Sequence, residues 1–270
     1  MPNSNRHLIT PAPGCAVDLR VIPTDDDGGM DKDDGEREFA RHIARLNELQ
    51  GLLYAESKQA LLIVLQAMDT GGKDSTIREV LGPLNPQGVR VWNFKAPTEV
   101  ELKHDFLWRV HKRVPGAGYI GVFNRSHYED VLIVRVKRLV PEAVWRPRYE
   151  HINHFENLLA FGGTRIVKLY LHISREYQKE RLQRRLDNPD KHWKFNPGDL
   201  VERALWDDYR EAYEEALSRC STIVAPWHVI PAERRWYRDL AVARILVAAL
   251  EAMDPQYPEA TFDPGTIRIE

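Results

Sequence analysis

Cysteine is scarce in this chain of 270 residues: Cys15 and Cys220 are the only two. Two thiols cannot build a disulfide framework or a zinc quartet; Cys15 reads as a free arm thiol and Cys220 as a small semi-buried residue, and neither suggests catalysis. Long apolar runs are missing as well, since no stretch approaches the ~20 residues that a membrane-crossing helix needs. The opening MPNSNRHLITPAPG has no apolar segment of the kind a secretory signal carries. Net charge is only −2, with a pI near 6.6, and no nucleic-acid recognition module stands out. These absences predict a soluble, cytoplasmic protein with neither nucleic acid nor membrane as partner.

What is present looks like an ordinary folded domain: 43% hydrophobic, 29% charged, mean hydropathy −0.47. The length suits one large domain with a sizeable core. The small net charge hides an uneven distribution. Residues 25–38 hold eight acids against Lys32 and Arg37, so that segment is −6 and the remainder +4. Residues 1–35, rich in Pro, Asp and Gly, read as an extended acidic arm, followed by a single domain over 36–270.

From Glu36 the periodicity is helical, with Phe39, Ile43, Leu46, Leu49 and Leu53 on one face. Leu61–Leu65 is a wholly apolar run, the mark of a strand covered on both sides. Val89–Trp92, Tyr119–Phe123 and Arg165–Ile173 supply further strands, and a fifth is Thr222–Ala225 or the nearby Trp227–Ile230. Between them the spacing predicts helices over Thr98–Val114 (opened by a capping box at Thr98 and Glu101), Tyr128–Val136, residues 149–161 and Glu233–Met253. Ser174 is a candidate helix cap. Strands alternating with helices imply an α/β fold with a central parallel sheet and helices on both sides. Residues 175–217 break the alternation and read as a helical hairpin, interrupted at Asn188-Pro189 and Asn196-Pro197-Gly198. Its place above the strand ends suits a lid.

The first strand runs into Asp69-Thr70-Gly71-Gly72-Lys73-Asp74-Ser75 and then into a helix. Strand, glycine turn, lysine and helix together make a phosphate cradle. Gly71 and Gly72 let successive N–H groups face an anion, and Lys73 adds a mobile positive charge. The match to the G-x-x-x-x-G-K-[ST] template is incomplete: Ala67 takes the first glycine position, and Asp74 stands where a magnesium-binding hydroxyl is expected. A carboxylate within such a loop would repel phosphate unless a cation intervenes, which makes Asp69 the candidate metal ligand. The rival role for Asp69 is a helix or turn cap.

After the third strand comes Asn124-Arg125-Ser126-His127-Tyr128-Glu129-Asp130. Arg125 falls at the C-terminal edge of the sheet, where open α/β folds bind ligands, and suits a bidentate phosphate contact. His127 reads as structural, having no partner at metal-ligand spacing. In the hairpin, Arg175, Lys179, Arg181, Arg184, Arg185, Lys191 and Lys194 outweigh four acids by a net +3. Arg181 and Arg185, four apart, share a helical face able to clamp a polyanion. Trp92, Trp108 and Trp206 read as packing residues.

DTGGKDS, FNRSHYEDVL and RLDNPDKHWKFNPGDL, in this order, resemble the polyphosphate kinase 2 family, and within it the branch (class III) that phosphorylates both nucleoside mono- and diphosphates. The likeness runs from about Glu36 to Pro255. It implies a P-loop kinase-like three-layer α/β/α sandwich with a helical lid. It also implies transfer of the terminal phosphoryl of inorganic polyphosphate to ADP or AMP, reversibly, with magnesium or manganese. Asp69, Lys73, Arg125 and Arg185 then carry the catalytic roles, with Asp69 as metal ligand. Thr70, Gly71, Gly72, Lys73, Asp74, Ser75, Arg78 and Arg181 hold phosphate, and Asn124, Arg125 and Glu129 hold nucleotide. Related branches carry Asp where this chain has Asn124, and an amide is too weakly charged to anchor magnesium. Lys137 and Arg138 join Arg78 as candidates for a polyphosphate channel. The family habit implies a homo-oligomer, dimer or tetramer. An ATP-dependent nucleoside monophosphate kinase would use the same loop and lid, and a non-catalytic polyanion binder is a third reading.

Overall fold

The computed structural model describes residues 9–269. Five strands form one sheet: β1 (Ala60–Ala67), β2 (Val89–Asn93), β3 (Ile120–Asn124), β4 (Thr164–His172) and β5 (Trp227–Pro231). All pair in parallel, in the order β2-β3-β1-β4-β5. β1 sits centrally and is buried at every position, which explains why its sequence is apolar without alternation. β2, at an edge, is half-exposed and carries Arg90 and Asn93. The fifth strand is Trp227–Pro231; residues 222–225 form a turn closed by Thr222 Oγ1 accepting from Ala225 N at 3.1 Å.

Seven helical elements position the site: α1 (Lys32–Glu56), α2 (Lys73–Thr76, continued by a π turn over Ile77–Leu81), α3 (Arg148–Phe161), α4 (Arg175–Asp187), α5 (Gly198–Ala204), α6 (Trp206–Cys220) and α7 (Arg235–Met253). α1 and α7 lie together over one face of the sheet, tied by Arg45 to Glu251 at 3.0 Å and Arg244 to Glu38 at 2.7 Å. α3 and α6 cover the other, where Tyr170 of β4 meets Tyr213 of α6 with ring centroids 4.6 Å apart. α4 and α5 form the insertion between β4 and α6. Ser174 caps α4 as expected, accepting from Tyr177 N at 3.1 Å.

Three local expectations change. α1 begins at Lys32, because Asp31 accepts from the N–H groups of Asp33 and Asp34. Two residues of the acidic run thus sit in the first turn, where the helix dipole favours negative charge. The capping box at Thr98 forms, with Thr98 N donating to Glu101 at 2.8 Å, yet only a 3-10 turn over Glu101–Lys103 follows. His104 turns extended, and Asp105 accepts from Leu107 N at 2.9 Å, a local bond that competes with helix. The chain resumes as a single helical turn, Trp108–His111, instead of one helix to Val114. Likewise Tyr128–Val136 is not continuous: a 3-10 turn at His127–Asp130 and a short helix at Ile133–Val136 flank Leu132, whose ψ of −88° is non-helical. Buried bonds on His127 and Tyr128, described below, hold that first turn.

The arm is extended, and from residue 9 onward it lies along its own chain. Ile9 bridges Val229 of β5, Ser221 Oγ donates to Pro11 O at 2.7 Å, and Leu19 is buried. His172 Nε2, at the end of β4, lies 3.0 Å from Leu19 O and 3.1 Å from Ile22 O. Residues 1–8 fall outside the described segment.

Candidate phosphate and nucleotide site

β1 ends at Ala67, and the chain turns through Met68–Gly72 into α2. Gly71 N donates to Met68 O at 3.0 Å. A Cβ on Gly71 would fall 2.6 Å from the Cβ of Ala67, so the residue replacing the template's first glycine makes glycine necessary here. Gly72 has φ +100° and Thr70 φ +62°, both in the left-handed region. A Cβ at Gly72 would also meet Arg238 Nη1 at 2.3 Å. This arginine, buried near the start of α7, grips Asp239 through Nε and Nη2 at 2.9 and 3.0 Å. Sequence reasoning does not single out Arg238; the only signal is an Arg-Asp pair directly before the apolar run Leu240–Ala243.

Lys73 curls back so that Nζ donates to Ala67 O at 3.2 Å. Withdrawal from water, then the neighbouring Arg125, lowers its pKa against the pull of Asp69, Glu129 and Asp74. Among the described residues Asp69 Oδ2 is buried without a hydrogen-bond partner, and so is Thr70 Oγ1. An unpaired buried carboxylate oxygen is costly and fits a cation ligand. Among the described residues no three acidic, His or Cys side chains converge into an all-protein metal site. One carboxylate supplemented by phosphate oxygens and water is the donor set that suits magnesium. Ser75 Oγ turns inward to Gly72 O at 2.8 Å. Asn124, at the end of β3, donates through Nδ2 to Asp74 Oδ1 at 2.7 Å. The amide therefore ties β3 to the first turn of α2, where an aspartate would set two carboxylates face to face.

Arg125 has φ +60°, with its N–H donating to Leu65 O at 3.2 Å. Burial opposes its charge, but Glu129, Tyr213 and Asp69 outweigh that and raise its pKa. It lines a cavity of about 180 Å³ shared with Asp69 and Glu129, and with Asp199, Glu202, Trp206, Tyr209 and Tyr213 from the insertion and α6. Trp206, expected as packing, thus borders the site. Tyr213 donates to Ala67 O at 3.0 Å and Tyr209 to Glu202 at 2.7 Å. Burial raises both phenols' pKa values, so they stay neutral donors. Asp199 falls within the RLDNPDKHWKFNPGDL stretch, but Glu202, Tyr209 and Tyr213 escape sequence reading, because no short motif marks them.

The insertion reaches the loop through Gln178, whose Nε2 donates to Asp69 O at 3.0 Å. Arg203 supports Gln178, donating to its Oε1 at 3.0 Å. Arg185 pairs with Asp199 at 3.3 Å and donates to Lys194 O at 3.1 Å. Burial and the Asp69 charge push the Asp199 carboxyl up, while Arg185 pulls it down. Arg181 lies over Tyr177, 6.0 Å from the ring centroid. The contacts of Arg181 and Arg185 among the described residues thus fall within the insertion, not on the loop. Arg78 is exposed on the outer side of the π turn, paired with Glu79 at 2.6 Å. Lys137 pairs with Glu202, and Arg138 is exposed with φ +52°. Cys220 is fully buried, its thiol pushed up to about 12 by burial.

Sequence and structure comparisons agree with this geometry. The family described as Polyphosphate kinase 2 matches residues 29–258. A Meiothermus ruber protein named AMP/ADP-polyphosphate phosphotransferase is 59% identical over 226 residues, covering 84% of this chain and 85% of its own. An ADP-polyphosphate phosphotransferase of Rhodopseudomonas palustris is 44% identical, covering 92% and 90%. The crystal structure of polyphosphate kinase 2 from Arthrobacter aurescens TC1 superposes with a TM-score of 0.91 at 48% identity, over 93% of this chain and 91% of that one. With the family match spanning most of the domain and the sheet, loop and insertion in place, the chain belongs to the polyphosphate kinase 2 family.

Proposed function

We propose that this protein transfers the terminal phosphoryl group of inorganic polyphosphate to ADP or AMP, reversibly and with magnesium. The observation that carries the reading is the unpartnered Asp69 carboxylate oxygen at a loop that also holds Lys73, beside a cavity lined by Arg125. Names of the relatives support polyphosphate as donor over an ATP-dependent monophosphate kinase. A nucleotide phosphate oxygen attacks the terminal phosphorus, the P–O bond to the next phosphate breaks, and a chain one unit shorter leaves. One phosphoanhydride replaces another when ADP accepts, so the reaction runs both ways. Positioning and charge neutralisation dominate such transfers. Lys73, poorly solvated and held only by a carbonyl, exchanges Ala67 O for a phosphate oxygen. Arg125 supplies a fixed guanidinium at the strand edge. Asp69 is the residue to hold magnesium, which when bound neutralises charge on the phosphate oxygens. The insertion serves as a lid, in which Arg185 exchanges Asp199 for phosphate. Arg181, Arg78, Lys137 and Arg138 are second-rank candidates along the polyanion, and Glu129 and Asn124 lie at the nucleotide end. A cytoplasmic homo-oligomer, dimer or tetramer, completes the reading.

Donor dependence tests it. Purified protein with magnesium receives AMP or ADP, with long-chain polyphosphate or with ATP alone, and products are resolved by chromatography. The expected result is ADP from AMP and ATP from ADP only when polyphosphate is present. ADP made from AMP and ATP without transfer from polyphosphate would establish the monophosphate kinase instead.

A further inference from the structure

Lys168 stands mid-strand in β4, in a row across the sheet that otherwise reads Trp92, Phe123, Val64 and Trp227. It is completely buried, as are Glu156 of α3, His127 and Tyr128. Its three ammonium protons are all used: Nζ donates to Glu156 Oε2 at 2.6 Å, to Tyr128 Oη at 2.8 Å and to Cys220 O at 2.5 Å. The other carboxylate oxygen, Oε1, accepts from Tyr128 Oη at 2.9 Å and lies 3.1 Å from His127 Nε2, which must then carry its proton. Burial keeps the imidazole's pKa low, so it is a neutral donor.

A buried ion pair is poor evidence for stability, since desolvation can cancel the attraction. Its location suggests another use. The network grips His127 and Tyr128, and Ser126 is held by Gln66 Nε2 at 3.2 Å. These are the three residues directly after Arg125, whose left-handed backbone (φ +60°) is unfavourable for a residue with a Cβ. Such a conformation persists only where the surroundings over-determine it.

We propose that the buried Glu156–Lys168 pair, through His127 and Tyr128, is a positioning device that fixes the backbone and thereby the guanidinium of Arg125. None of the four lines the cavity, and all are fully buried. The inference rests on the phosphoryl-transfer reading above. A misplacement of about 1 Å at such a group is enough to cost up to ~100-fold in rate.

The test is a double-mutant cycle on polyphosphate-dependent transfer, with melting temperature followed throughout. Glu156→Gln/Lys168→Met removes both charges together, and Tyr128→Phe leaves the ion pair intact as a milder second variant. Each is made in the wild type and in Arg125→Ala. With Arg125 present, the charge-removing pair should lower kcat about 10- to 100-fold and Tyr128→Phe a few-fold, at near-native melting temperature. In Arg125→Ala both should cost less than about threefold, because nothing remains to be positioned. If the first variant fails to fold, Tyr128→Phe alone decides through the same cycle. Equal fold-losses in both backgrounds, or none with Arg125 present, would overturn the inference. An inactive wild type would overturn the parent reading and this one with it; an active wild type with additive losses overturns this one alone.

Discussion

At the C-terminal ends of β1 and β3 Thr70, Gly72 and Arg125 hold positive φ, Asn124 ties β3 to α2, Arg238 crowds Gly72 and the buried Lys168 network holds the residues after Arg125. In the insertion the opposite holds. Arg184 and Glu180 pair with side chains 62% and 61% exposed, Trp193 is 78% exposed, and the link to the loop is the Gln178 amide. Both regions border the same cavity. In the proposed reaction the sheet edge keeps this geometry as substrate arrives, and the insertion exchanges contacts such as Arg185 to Asp199. For the polyanionic substrate proposed above, this amounts to preorganised charge at the loop and adjustable charge over it.

If that division is right, losses should be graded from the sheet edge outward. Lys73→Ala should reduce kcat by about 10³-fold, the upper range for losing one preorganised group. Its melting temperature should hold or rise, because a poorly solvated ammonium beside Arg125 is removed. A loss under about tenfold in steady-state assays would mean that the loop is not where charge is neutralised.

Arg185→Ala comes next, with an expected fall in kcat of about 10- to 100-fold and little change in thermal stability, since its ion pair is partly exposed. If it equalled Lys73→Ala, the insertion would be no more adjustable than the sheet edge, and the contrast would fail.

Stability instead of rate is the readout for Asp130, at the end of the 3-10 turn that follows Arg125. There burial lifts the carboxyl to about 6 despite Arg148 at 3.0 Å. The folded pKa lies above the unfolded one, so the native state binds the extra proton. This group's contribution is therefore complete below pH ~4 and is lost as pH rises through about 6. As pH rises from about 4 to about 7, denaturant unfolding should show Asp130→Asn gaining roughly 1–3 kcal/mol on the wild type. A pH-independent gap would place that carboxylate in contact with water.

Much of the fold is legible in the sequence because burial leaves a direct trace: LLIVL reads as a strand covered on both faces, RIVKLYLHI as a further strand, and Ser174 as a cap. The helix over Thr98–Val114 misleads because its capping box is real, while the Asp105 bond that interrupts it is equally local and carries a weaker signature. Loop residues Asp69 to Ser75 are visible as a contiguous motif. Glu156 and the α6 tyrosines are not, since Glu156 meets His127 across 29 residues of chain and Tyr213 meets Ala67 across 146. Arg238 is hidden for the same reason, and no periodicity carries such contacts. The lysine within β4 is a trace of one of them, a charge where an apolar residue would bury at no desolvation cost.

Central to this reading is Asp69 as the protein's carboxylate for a divalent cation at the phosphate loop. The direct measurement is magnesium titration of ATP formation from ADP and polyphosphate, for wild type and Asp69→Asn, with manganese as a second ion. We predict activity that vanishes on chelation in the wild type, and in Asp69→Asn a loss of at least about 100-fold in kcat that saturating metal does not restore. Near-native turnover by Asp69→Asn at ordinary magnesium would contradict it.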